Sequence, residues 1–196
     1  MTLDQMGVLA LQRALTQAAD LLDRVGRDDL ARTTPCADWD VRDLANHLIA
    51  QPRVFVTMLQ GAPPGWNGRE DYTEHLGEEL RTRGNALINL WREVGENVMV
   101  DPDWQAAEIA VHTWDLAAAL GRPTDDLDEA VAQRAVITMD RVLGPIRKGR
   151  AFADARQAPP ERLRAPGGVR RPGGPVGARA VGPANTPSGR GLDRCD

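Results

Sequence analysis

From Ala106 to Leu120 the chain runs without glycine or proline, and only Glu108, His112, Thr113 and Asp115 in that run are polar. A stretch of that length and composition predicts a helix buried on most of its faces, so the rest of the chain must wrap it. Glu108 and His112 fall one turn apart on the same face, and Asp115 lies one turn further on. A carboxylate placed there loses most of its water, at a cost of several kcal/mol or more for a charge, roughly the range for buried polar groups, unless it is paired. Three partners can answer it: His112 as imidazolium, an arginine from a neighbouring helix, or a metal ion bound jointly by Glu108 and His112. An E-x-x-x-H pair alone does not choose among them.

The surrounding sequence supplies helices and nothing else. Residues from about Thr2 to Val25 carry Leu3, Met6, Leu9, Ala10, Leu15, Ala18, Leu22 and Val25 at helical spacing. Asp40 as N-cap, Asp43 three residues on, and Trp39 with Leu44 as a hydrophobic staple predict a second helix starting at Val41. Its stripe holds Leu44, His47, Leu48, Gln51 and Phe55, and Pro52 predicts a kink or an end to the regular helix near that point. A third helix is expected between about Glu70 and Val94, with His75 near its beginning, and Trp104 opens the fourth. Asp125 or Asp126 is expected to cap a fifth helix whose apolar set is Val131, Ala135, Val136, Met139, Val142 and Leu143. No alternating strand pattern competes, so the class is all-α: four long helices and a shorter or kinked one in a bundle, joined by short connections that favour antiparallel neighbours.

Residues 149–196 differ from the rest, with nine glycines, seven prolines and nine arginines. This Gly/Pro/Arg-rich composition cannot build a core, which predicts one domain over residues 1–148 and a low-complexity tail over 149–196. Two readings of the tail stay open, a disordered basic segment or an out-of-frame translation from about Arg164. The net charge of −4 and pI near 5.4 argue against a nucleic-acid or anionic-membrane surface. No apolar run spans a bilayer and the N-terminus lacks a basic signal-like start, so a soluble, cytoplasmic protein is expected. The two cysteines, Cys36 and Cys195, are too few and too far apart for a disulfide framework or a thiolate metal site.

His47 supplies what the Glu108–His112 pair lacks. It lies on the core-facing stripe of the second helix, so a bundle packing that helix on the fourth can bring two imidazoles and one carboxylate together. Such a donor set suits a divalent transition metal such as zinc and leaves positions open for water or substrate. Cys36 reads as a small buried residue, and Trp39, Trp104 and Trp114 read as core.

The segments Thr34-Pro35-Cys36-Ala37-Asp38-Trp39-Asp40-Val41-Arg42-Asp43-Leu44, Asn46-His47-Leu48 and Glu108-Ile109-Ala110-Val111-His112-Thr113-Trp114-Asp115-Leu116 resemble, in order and spacing, the metal-binding domain of mycothiol-dependent maleylpyruvate isomerase. That domain belongs to the DinB-like four-helix bundles, and the resemblance covers roughly residues 5–155. It implies metal ligands at His47, Glu108 and His112, with zinc as the ion, nickel or iron able to bind the same donors, and mycothiol as cosubstrate. Asp115 is expected behind the ligands, and His75 is the alternative ligand. Gln51-Pro52, shortly after His47, stands where the resemblance leads one to expect less disruptive residues. The implied activity is a thiol-dependent transfer or isomerisation of a small electrophile, with a non-catalytic metal-binding or ligand-binding bundle as the alternative. No residue outside the metal shell is recognisable as a catalytic base.

Overall fold

The computed structural model of the chain describes residues 3–36, 38–63, 65, 71–94 and 100–143. Five α-helices carry most of them: α1 (Leu3–Leu22), α2 (Val41–Leu59), α3 (Leu76–Val94), α4 (Pro102–Ala119) and α5 (Glu129–Leu143). Among the described residues there is no strand, only an isolated antiparallel bridge between Thr33 and Asp40. The fold is an all-α bundle. The expected domain boundary near residue 148 and the Gly/Pro/Arg-rich tail lie outside the described residues.

The helices pack in the cyclic order α1, α4, α2, α3, with α5 laid against α4 and α1. Helices consecutive in sequence, α1 with α2 and α3 with α4, therefore sit across the bundle rather than side by side. Leu11, Leu22, Leu44, Leu48, Ile49, Phe55, Leu80, Leu87, Ile109 and Leu116 fill the centre and are fully buried. This arrangement sets α2 and α4 side by side, which the site requires. No helix among the described residues is long and apolar enough to cross a membrane.

The start of α2 follows its local signals. Asp40 accepts a hydrogen bond from the Asp43 amide at 2.9 Å, and Asp43 accepts one from the Asp40 amide at 3.3 Å, a reciprocal capping box. The preceding loop is tied to it, with the Val41 amide donating to the Arg32 carbonyl at 2.9 Å and the Thr34 hydroxyl donating to the Trp39 carbonyl at 2.9 Å. These bonds fix Trp39 at the mouth of the α2–α4 seam.

Several expectations are corrected. Of the two outcomes expected at Pro52, a kink or an end, the second does not occur: α2 runs through Pro52 to Leu59. The missing proline N–H costs about 3 kcal/mol, but residues beyond it are anchored, with Phe55 fully buried and edge-on to Trp104 at 5.7 Å. α3 begins at Leu76 rather than near Glu70; His75 precedes it at φ 56. The cap of α5 is Asp128, which accepts from the amides of Ala130 and Val131 at 3.0 and 3.1 Å, while Thr124–Asp126 form a 3-10 turn. Asp101, followed by Pro102, caps α4 ahead of Trp104. α4 keeps a solvent stripe, with Val111 41% and Trp114 49% exposed, so Trp114 is not core; Val136 on α5 also faces out, at 61%.

Candidate metal centre

Residues one turn apart on two adjacent helices build the site. α2 presents His47 and Gln51, and α4 presents Glu108, His112 and Asp115. The Nε2 atom of His112 lies 3.3 Å from Glu108 Oε1, and the Nε2 atom of His47 lies 3.8 Å from the same oxygen. One ligand atom from each of the three side chains falls within 4.8 Å of the other two. The imidazole rings meet edge to face with centroids 4.6 Å apart.

These residues fit the implied ion. Zinc bonds nitrogen and oxygen at about 2.0–2.2 Å, so the edges of a tetrahedral donor set run to about 3.3 Å. The His112–Glu108 separation already equals that edge, and the His47–Glu108 separation exceeds it by about half an ångström. The two imidazole donors lie within 4.8 Å of each other, so closing the set takes a movement of the His47 side chain. His112 is nearly buried, its side chain 6% exposed, whereas the side chains of His47 and Glu108 keep 14% and 17%. The donors therefore sit at a partly open edge of the core.

Asp115 stands behind His112, with its Oδ2 3.6 Å from Nδ1. A carboxylate on that side draws the Nδ1 proton and leaves Nε2 with its lone pair toward Glu108 and His47, the tautomer a metal ligand needs. Without a metal the cluster holds itself together by charge. Burial raises the Glu108 carboxyl, but the hydrogen bond from His112 and the nearby His47 imidazole outweigh it and hold the group down at about 2. Burial lowers His112, and hydrogen bonds to Asp115 and Glu108 outweigh it, raising the imidazole to about 9.

Trp39 was read from sequence as core. It forms one wall of the site, its ring 4.7 Å from that of His47 and 5.9 Å from that of His112. Gln51 was seen on the His47 stripe but given no role; its Nε2 donates to His47 Nε2 at 2.6 Å. Cys36 is buried with its sulfur 3.6 Å from Asp115 Oδ2, behind the donors. Cys36 is disulfide-bonded and not a free thiol, so the close grouping of its sulfur with His112 and Asp115 offers no thiolate donor. His75 stands apart, exposed and 3.5 Å from Glu78, so it does not join the cluster. A cavity of about 460 Å³ lies one turn beyond Asp115, lined by Arg32, Thr33, Thr34, Pro35, Ala118 and Ala119. None of the three donors lines it.

Residues 11–101 match the family model described as the mycothiol maleylpyruvate isomerase N-terminal domain. The matched segment contains His47 and ends before Glu108 and His112, so it is shorter than the resemblance over residues 5–155. Similar proteins include two from Mycobacterium tuberculosis, one from strain CDC 1551 / Oshkosh and one from strain ATCC 25618 / H37Rv, each named only as uncharacterized. Each is 28% identical over 167 residues, spanning 79% of this chain and 90% of the relative. No solved structure matches the chain.

Proposed function

We propose that this chain, whose residues 11–101 belong to the mycothiol maleylpyruvate isomerase N-terminal domain family, holds a divalent metal ion at His47, Glu108 and His112 and activates a small thiol there for attack on a small electrophile. The observation that carries this reading is the convergence of two imidazole nitrogens and one carboxylate oxygen within 4.8 Å at a partly exposed edge of the core. Zinc suits the donors best, and nickel or iron is the alternative.

A free thiol with a pKa near 8.5 is only a few per cent thiolate at neutral pH; a divalent ion held by His47, Glu108 and His112 would favour the thiolate, the thiol proton passing to water. The protein's residues supply the conditions for that. Two neutral imidazoles and one carboxylate leave a dipositive ion with a net positive charge, which favours an anionic sulfur. Asp115 fixes the His112 tautomer. Trp39 closes one side with an apolar ring, which keeps water from competing. His47, Glu108 and His112 act as ligands and not as general acids or bases, because coordination occupies the lone pairs such catalysis uses. A cytoplasmic setting, where small thiols stay reduced, fits this chemistry.

One observation favours a non-catalytic metal-binding bundle instead: the 460 Å³ cavity is lined by none of the donors. The two readings separate in one assay. Metal-loaded protein is incubated with mycothiol or another small thiol and a panel of electrophiles. Metal-dependent consumption above the uncatalysed rate, lost in His112→Ala, is the expected result; no acceleration across the panel leaves the non-catalytic reading.

A further inference from the structure

Gln51 is 1% exposed, and its side-chain Oε1 is buried with no hydrogen-bond partner. Its other end, Nε2, donates to His47 Nε2 at 2.6 Å. Turning the amide end for end would put the oxygen on His47 and leave the NH2 group unsatisfied, so either orientation strands one polar end of this side chain in the core. Buried polar groups are nearly always paired, which marks an exception as a place where something else binds.

The hydrogen bond to His47 also conflicts with the metal reading. A nitrogen that gives its lone pair to an ion cannot accept an N–H from Gln51 at the same time. Gln51 then has to exchange that bond for another. The side chain is 1% exposed, so solvent does not supply that bond. Its carbonyl oxygen is a metal donor by chemistry, and it belongs to a side chain already touching the nitrogen that the ion would take.

We propose that Gln51 is a fourth protein donor to the ion held by His47, Glu108 and His112, bound through its side-chain carbonyl oxygen. The inference rests on the metal reading above. It makes the donor set two nitrogens and two oxygens. A neutral amide oxygen would be the weakest of these four donors and the one most readily given up to a substrate atom.

The test uses the full chain loaded with cobalt(II), whose visible absorption reports donor number and type, with affinity read by chelator competition. Gln51→Leu keeps the side-chain volume and removes the donor; it should bind cobalt at least about tenfold more weakly, by comparison with losses seen around other metal sites, with altered band intensity. Gln51→Glu restores an oxygen donor and should bind as tightly as the wild type or tighter. If Gln51→Leu binds as tightly as the wild type or tighter, with a superimposable spectrum, Gln51 only competes for His47 and the proposal is overturned. Should the leucine variant fail to fold by circular dichroism, the glutamate variant decides, and affinity below the wild type overturns the proposal. Wild-type protein that takes up no cobalt, or a His112→Ala variant that takes it up unchanged, overturns the metal reading itself and this proposal with it.

Discussion

Where α1 meets α3, the helices approach over small and apolar residues. A methyl added to Gly77 would come within 2.5 Å of the Ala19 carbonyl oxygen, and Gly84 faces the Leu15 side chain. Where α2 meets α4, the seam holds two imidazoles, a carboxylate and an amide. In that seam Gln51 Oε1 is buried with no hydrogen-bond partner among the described residues. Each such atom costs about 1–3 kcal/mol. The contrast separates two tasks: the α1–α3 contact supplies stability, and the α2–α4 seam carries the polar groups proposed to hold an ion.

The largest break in this comparison is Leu80→Ala, at a fully buried position of α3. It should cost about 2–5 kcal/mol of stability in denaturant unfolding and leave the metal content of folded protein unchanged. A folded variant that had lost its metal would show that the two regions are not separable. Gly77→Ala comes next. Its methyl meets the Ala19 carbonyl and the Asp23 carboxylate. The expected loss is about 1–3 kcal/mol from overpacking, despite a gain in helix propensity of about 1 kcal/mol. A stabilised Gly77→Ala protein would mean that α1 and α3 can move apart freely.

Asp115→Asn tests the other region. It should weaken metal binding by about 10- to 100-fold and barely change the unfolding of the metal-free protein. Unchanged affinity would deny Asp115 its orienting role. The smallest effect is the pH dependence of metal-free protein. Glu108 is held at about 2, so its contribution is present above its ordinary 4.5 and fades as pH falls toward 2. His112 is held at about 9, so its contribution is full below its ordinary 6.5 and is lost as pH rises through 9. Stability from this pair should therefore plateau between about 4.5 and 6.5 and fall on either side, by no more than about 1.4 kcal/mol per pH unit for one proton. Thermal unfolding across that range checks it, and glutamine at position 108 should flatten the curve.

What could be read from sequence was what neighbouring residues decide. The Asp40–Asp43 capping box and the helical faces of His47, Glu108 and His112 depend on residues within a turn or two, and the structure places these groups as those patterns require. The start of α3 was misread because Tyr72 is held out of the helix from a distance: its amide donates to Asn46 Oδ1 at 2.7 Å, and its carbonyl accepts from Asn46 Nδ2 at 3.1 Å. Local periodicity carries no trace of that tie. Trp114 was misplaced for a related reason, since an apolar run does not say how many neighbours a helix will have. Gln51 was visible on the His47 stripe, but its stranded oxygen depends on the absence of any donor around it, which only the packed structure reveals.

The central claim is that the α2–α4 seam is a metal site, and metal analysis tests it most directly. Purified protein and its His47→Ala, Glu108→Ala and His112→Ala variants, equilibrated with zinc and dialysed, should give stoichiometric metal for the wild type and a large loss for each variant, with helical content retained. A folded His47→Ala protein that keeps full stoichiometric metal would contradict the assignment.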